Sequence, residues 1–216
     1  MEKKFTIQIE SKIYFLWMWY SEKYQVQWWR VMRNASRALD KIPKNLGFVE
    51  MDVSHGCVIK NPNWGVVCTC RNPYSRAVSF WILRNRINYS HNQEVSLEKY
   101  LKGPNEYFNF QVGHDWDPIT NLQKNPNIQK HIIRFENLVE DVSNLPFVTE
   151  NYHLVRRNIE ELTEYKDGYK EQYTIDIQIP YSEYYTQELA DIVWEKKQYE
   201  FEYWGYERDS WKTLIR

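Results

Sequence analysis

The sequence predicts a three-layer α/β fold in which a central parallel sheet of about four to five strands is flanked by helices. Apolar runs rich in β-branched and aromatic residues alternate with helical patterns, as expected for strands joined by crossover helices. The chain has only 7 glycines, and 17% of its residues are aromatic. This composition excludes a disordered or low-complexity chain. A chain of 216 residues is long enough for one domain, 1–216, with its own core.

Each element is predicted from its local pattern. The predicted strands are 12–19, 47–54, 64–71 and 130–135. The predicted helices are 26–42 (ended by Pro43), about 73–87 (with Pro73 in its first turn), 96–101, and Thr186 to about Tyr203 (with Thr186 as N-cap). Stretches 103–129 and 165–180 are expected to be loop-like.

Composition excludes several functions. The chain has 28 lysine and arginine residues and 29 aspartate and glutamate residues, which gives a net charge of −1. We therefore expect no general nucleic-acid binding. The apolar run 13–20 is too short to cross a bilayer, and we expect no membrane partner. The three cysteines and five histidines lack metal-ligand spacing, so no metal is expected. The sequence contains no G-x-x-x-x-G-K-[ST] motif, which disfavours an ATP-driven enzyme.

An arginine stands where a predicted strand meets a predicted helix, in VCTCRNPYSRAVSFW (67–81). Arg71 ends the strand, and Ser75 and Ser79 follow on the helix. In α/β sheets ligands bind beyond the carboxyl ends of the strands, where helix N-termini favour anions. We therefore predict a phosphate site; the alternative is an arginine paired with a surface carboxylate and serines that only pack.

This segment resembles the 3′-phosphate-binding motif of sulfotransferases that use 3′-phosphoadenosine 5′-phosphosulfate (PAPS). Three later stretches are similar to the carbohydrate sulfotransferase branch: GHDWDPIT (113–120), IIRFENLVEDV (132–142) and the helical stretch 181–207. The similarity extends over roughly residues 64 to 207. It implies a P-loop-NTPase-like fold, with Arg71 and Ser79 on the 3′-phosphate of the donor.

The resemblance also implies a reaction, the in-line transfer of a sulfuryl group from PAPS to a hydroxyl of a carbohydrate acceptor. The protein then mainly positions groups and neutralises charge. His55, after the second predicted strand, is the candidate base, although a structural loop histidine is the alternative. His114 and Trp116 are candidates for contacting the acceptor, and His114 is also a second candidate base.

The first loop departs from the family, which places a glycine-containing phosphosulfate loop after the first strand. The corresponding stretch, WMWYSEKYQVQWW, has no glycine. If it still binds the phosphosulfate, the candidates are Ser21, Lys23, Tyr24 and Gln25, with Lys23 also as the catalytic cation. The alternative is a non-catalytic nucleotide- or glycan-binding protein whose 5′ site has degenerated.

Location is predicted from the same resemblance. Animal members of the branch are Golgi proteins with a transmembrane segment, and we find no such segment in this sequence. We therefore expect a cytoplasmic protein of bacterial or viral origin. The acceptor and the oligomeric state do not follow from the sequence.

Overall fold

A mixed sheet forms the centre of the protein. The computed structural model describes residues 16–31, 34–53, 57, 59–89, 95–103, 117–168 and 180–214. The strands are β1 (Leu16–Ser21), β2 (Val26–Trp29), β3 (Val49–Val53), β4 (Gly65–Cys70) and β5 (Lys130–Arg134). They form one five-stranded sheet in the order β3-β1-β2-β4-β5, with helices packed against it. The predicted α/β class is confirmed.

The sheet is not fully parallel, so that part of the prediction is wrong. β2, β4 and β5 pair in parallel, whereas β1 is antiparallel to both β2 and β3. A four-residue turn joins β1 directly to β2, and so short a connection makes the two strands antiparallel. β3, β2, β4 and β5 consequently run in one direction, with their carboxyl ends at the same edge.

The predicted helix 26–42 is wrong in its first part, because Val26–Trp29 is strand β2. All four residues of β2 are buried, so the strand shows no alternation of polar and apolar positions. Apolar residues at 28, 31, 35, 39 and 42 imitate a helical repeat. Among the described residues of this stretch, helix occurs in two short segments after β2, and Pro43 lies inside the second of them.

Helices connect the later strands and follow the last of them. They are α1 (Ser36–Leu39), α2 (Lys41–Asn45), α3 (Pro73–Tyr89), α4 (Leu97–Lys102), α5 (Pro118–Lys124), α6 (Leu138–Ser143), α7 (Pro146–Glu150), α8 (Tyr152–Gly168) and α9 (Gln187–Trp204). Short 3-10 helices occupy Phe135–Asn137, Tyr181–Tyr184 and Ser210–Thr213. The predictions for α3 and α9 are confirmed, and Thr186 caps α9 through its hydroxyl. α8 was not predicted, and its end overlaps the stretch 165–180 expected to be loop-like.

Helices cover both faces of the sheet. On one face Val67 and Ile133 of the sheet belong to a core with residues of α1, α2, α6, α7 and α8. On the other face Val66 and Cys68 pack with α5 and with Trp204 at the end of α9. α9 in turn packs on α3 and α4. None of the described helices is long and apolar enough to span a bilayer.

Candidate functional site

The junction between β4 and α3 carries the predicted anion site. Asn72 follows Arg71, and its side-chain Oδ1 accepts a hydrogen bond from the N–H of Tyr74 at 3.0 Å, as a helix N-cap does. Pro73 is the first residue of α3, where its missing N–H is not needed. α3 begins three residues after β4 ends, so the positive end of its dipole lies at the carboxyl edge of the sheet, where Arg71 lies.

Arg71 is buried, with 5% of its surface exposed, and its guanidinium is held in a defined orientation. Nε donates to Ser75 Oγ at 2.8 Å, and a terminal nitrogen donates to the hydroxyl of Tyr181 at 2.9 Å. The guanidinium carbon lies 3.9 Å from the centre of the Phe135 ring, a cation–π contact. These hydroxyl and aromatic partners fix the orientation of the side chain.

The two serines of the motif play different parts. Ser75 Oγ accepts from Arg71 and donates to the carbonyl of Asn72 at 3.1 Å, so it orients the arginine. Ser79 lies one turn further along α3 on the same side, and it is 6% exposed. The structure therefore brings Arg71 and Ser79 to one side of α3, with Ser75 between them. The sequence pattern did not distinguish these two roles.

The backbone after Arg71 is held by a carboxylate. Glu136 accepts from the N–H of Asn72 at 2.8 Å through one oxygen and from the hydroxyl of Tyr206 at 2.8 Å through the other. Burial, together with the carboxylate of Glu136, raises the pKa of Tyr206 well above its usual value, so the phenol stays a donor. Asn72 Nδ2 also donates to Ser210 Oγ at 2.8 Å. These bonds anchor the Arg71 loop to the C-terminal part of the chain.

A buried ionic cluster joins α3 to α9 beside the site. Glu200 accepts from Arg76 at 2.8 Å and lies 3.0 Å from the ammonium of Lys197. Burial opposes ionisation of Glu200, but the two cations outweigh it and hold the pKa of Glu200 below its usual value. Burial likewise lowers the pKa of Lys197. Lys197 therefore has a structural role and is not part of a basic surface.

The loop after β2 is a feature of this edge that sequence reasoning missed. Asn34 is buried and donates from Nδ2 to the carbonyl of Thr69 at 2.8 Å, which ties the loop to β4 two residues before Arg71. Its Oδ1 has no hydrogen-bond partner among the described residues. Ala35 has a positive φ of 60°, which is unusual without glycine. The sequence signal for this loop is Asn34, a residue that favours turns, shortly before Ser36, a residue that favours the start of a helix.

β2 and β4 are neighbours whose following helices pack on opposite faces of the sheet. α1 and α2 contribute to the core on the Val67 face, whereas α3 packs with α9 on the other. In α/β sheets, ligands usually bind beyond the carboxyl ends of two neighbouring strands with such a reversal. Asn34 and Arg71 follow the carboxyl ends of β2 and β4.

The candidates for the 5′-phosphosulfate lie at the opposite edge of the sheet from Arg71; they are Ser21, Lys23, Tyr24 and Gln25. They form the turn between β1 and β2, and the carbonyl of Gln25 accepts from the N–H of Gly65, the first residue of β4, at 2.8 Å. The six residues of β4 separate this turn from Arg71 by about 20 Å.

The side chains of Ser21, Lys23 and Tyr24 bond to groups within the turn. Ser21 Oγ accepts from the N–H of Tyr24 at 3.3 Å, and Lys23 Nζ donates to the Tyr24 hydroxyl at 3.0 Å. The ring of Tyr24 packs on Phe48, with centroids 5.7 Å apart, and Gln25 adopts a positive φ of 52°.

The remaining predicted residues, His55, His114 and Trp116, lie outside the described residues. The carboxyl end of β3, which precedes His55 in the sequence, is at the same edge as Arg71.

Cysteine chemistry is disfavoured at this site. Burial raises the pKa of Cys70 to about 11, and burial also raises the pKa of Cys57 and Cys68. The three thiols therefore stay protonated and contribute to the core as small apolar groups. Within the described part of the chain, no group of three or more His, Cys, Asp or Glu side chains is arranged to hold a metal ion.

Comparisons with known proteins gave no match. No protein-family model, no curated protein and no solved structure matches this chain. A function for the chain therefore has to be argued from the geometry of the carboxyl edge.

Proposed function

We propose that this protein is a PAPS-dependent sulfotransferase with a P-loop-NTPase-like fold, which transfers a sulfuryl group to a carbohydrate hydroxyl. The observation that carries the proposal is Arg71, a buried arginine at the carboxyl end of β4 and at the start of the long helix α3. Ser79 lies one turn along α3 from the serine that orients it. A guanidinium, a hydroxyl and a helix N-terminus suit the 3′-phosphate of the donor.

We assign the 5′ end of the donor to the region beyond the carboxyl ends of β2 and β4. The loop after β2 faces the same edge as Arg71, and Asn34 ties it to β4. This loop replaces the turn 22–25, which lies about 20 Å away. Backbone groups at Asn34 and Ala35 are therefore our candidates for contacting the 5′ end of the donor.

PAPS supplies the sulfuryl group as the donor substrate. The acceptor oxygen forms the new S–O bond, the S–O bond to the 5′-phosphate breaks, and adenosine 3′,5′-bisphosphate leaves. The hydroxyl proton passes to a base, for which His55 remains our candidate. Arg71 and Ser79 hold the donor by its 3′-phosphate, which fixes the sulfur relative to the acceptor.

A second function, nucleotide binding without transfer, is favoured by one observation. The turn that holds the candidates for the phosphosulfate lies at the far edge of the sheet, and Ser21, Lys23 and Tyr24 bond to one another there. A protein that kept only the 3′ site would bind adenosine 3′,5′-bisphosphate and form no sulfated product.

Titration calorimetry with adenosine 3′,5′-bisphosphate, with AMP as the comparison ligand, tests the proposal. We expect the bisphosphate to bind much more tightly than AMP, and Arg71→Ala to weaken its binding by about 100-fold, because charge-assisted hydrogen bonds are lost. Arg157→Ala, at an exposed arginine on α8, is the control and should bind as the wild type does. Equal affinity for the two ligands, or no binding by the folded protein, would contradict both functions.

Labelled PAPS incubated with a mixture of polysaccharides separates the two functions. Label transferred to the carbohydrate supports the enzyme. Bisphosphate binding without any transfer supports the binding protein.

A further inference from the structure

The hydroxyl of Tyr181 lies beside Arg71 although 110 residues separate them in the sequence. Tyr181 begins the 3-10 helix Tyr181–Tyr184, just before α9. Its oxygen accepts a hydrogen bond from a terminal guanidinium nitrogen at 2.9 Å, and its ring centre is 5.4 Å from the guanidinium carbon. The phenol therefore borders the region where a phosphate would meet Arg71.

The hydroxyls of Ser75 and Tyr181 both accept from Arg71 but differ in what their own protons do. Ser75 donates its proton to the carbonyl of Asn72. For Tyr181, no acceptor occurs among the described residues. A phenol oxygen that accepts from a guanidinium is polarised and becomes a stronger donor. Tyr181 thus has a proton to offer to an anion on Arg71, whereas Ser75 does not.

We propose that Tyr181 is a direct ligand of the 3′-phosphate, donating its phenolic proton to a phosphate oxygen beside Arg71. This inference rests on the proposed function. A neutral donor next to the guanidinium adds binding without adding charge. Tyr181 would therefore strengthen discrimination between nucleotides with and without a 3′-phosphate, and it would leave affinity for the rest of the nucleotide unchanged.

Tyr181→Phe removes the hydroxyl and keeps the ring beside Arg71. We expect this variant to bind adenosine 3′,5′-bisphosphate about 10-fold more weakly than the wild type, because one hydrogen bond to a charged group is lost. AMP affinity should not change. Tyr184→Phe, in the same 3-10 helix, is the matched control, and thermal unfolding checks that both variants are folded.

A second variant distinguishes whether Tyr181 binds the phosphate or only orients Arg71. Site-specific 3-fluorotyrosine at position 181 makes the phenol a stronger donor and a weaker acceptor. At a pH where this phenol is still neutral, a donor to phosphate gives tighter bisphosphate binding. A hydroxyl that only accepts from Arg71 gives weaker binding, which would overturn the proposal.

The failure of this inference can be told from the failure of the proposed function. If the wild type binds the bisphosphate and Tyr181→Phe binds it equally well, Tyr181 is not a ligand and the proposed function stands. If the wild type does not discriminate the bisphosphate from AMP, both the proposed function and this inference are overturned.

Discussion

At the carboxyl end of β4, the guanidinium of Arg71 bonds to a hydroxyl far away in the sequence, whereas at its amino end the polar side chains of the β1–β2 turn bond to one another. Arg71 donates to Tyr181, 110 positions later. At the other end Ser21 and Lys23 both pair with Tyr24, three and one positions away. Contacts over long separations require the folded chain to bring distant groups together, which is how a binding site is assembled.

The difference between the two edges shows that residue type alone does not indicate a site. Ser21, Lys23 and Tyr24 look suited to an anion, yet a hairpin turn uses them to satisfy its own polar groups. Arg71 stands at an edge where loops lead into helices and where groups from four parts of the chain meet. Substitutions at each edge test whether the two differ in this way.

Among substitutions outside the proposed phosphate ligands, the largest effect is expected from Glu136, which holds the backbone after Arg71. Glu136→Ala removes the hydrogen bonds to Asn72 and Tyr206, so we expect about 10-fold weaker binding of adenosine 3′,5′-bisphosphate. Glu136→Gln keeps an acceptor for the Asn72 N–H and removes a negative charge near the anion. We expect its affinity to equal or exceed that of the wild type.

Calorimetry on both variants distinguishes positioning from charge. Glu140→Ala, at an exposed carboxylate on α6, is the control and should leave affinity unchanged. If Ala and Gln at position 136 both tighten binding, Glu136 acts only through its charge and does not position Arg71.

Much of this edge could be predicted from the sequence because its signals are local. An apolar run followed by Arg71, Asn72 and Pro73 identifies a strand end, an N-cap and a helix start, and all three are present. The partners of Arg71 could not be predicted in this way. Tyr181 reaches the arginine because the 3-10 helix Tyr181–Tyr184 packs on α3, and that contact is tertiary.

The hairpin could not be predicted because β2 lacks the alternation of a half-exposed strand. Even Gln27 is fully buried, since its side chain is satisfied by the backbone at Lys60 and Asn61. A strand covered on both faces and a buried helix give similar short apolar patterns. Mistaking β2 for helix moved the predicted first loop to the wrong edge of the sheet.

A smaller effect is expected from the residues of positive φ, Gln25 in the turn at one edge and Ala35 in the loop after β2 at the other. Glycine adopts this conformation without steric cost. We expect Gln25→Gly and Ala35→Gly each to raise the free energy of unfolding by about 1 kcal/mol or less, measured by denaturant titration. Only Ala35→Gly should change nucleotide affinity, by roughly threefold, because it loosens a loop at the site. An affinity change in Gln25→Gly alone would reverse our assignment of the edges.

The smallest effect concerns His131, near the start of β5 at the amino edge. A Cβ at Gly65 would lie 3.4 Å from its Nε2, and its ring meets Phe147 edge-on. Burial lowers the pKa of His131 below 6.5. The unfolded chain therefore takes up the proton first as the pH falls below 6.5. Stability is fully present above that pH and declines below it.

We expect urea titrations to show a smaller loss of stability between pH 7.5 and 5.5 in His131→Gln than in the wild type. The pH dependence of bisphosphate affinity should be the same in both proteins, because His131 and Arg71 are at opposite ends of the sheet. An unchanged loss of stability would show that His131 titrates alike in the folded and unfolded chain. A changed pH dependence of affinity would show instead that the amino edge is coupled to the nucleotide, which the separation of the two edges argues against.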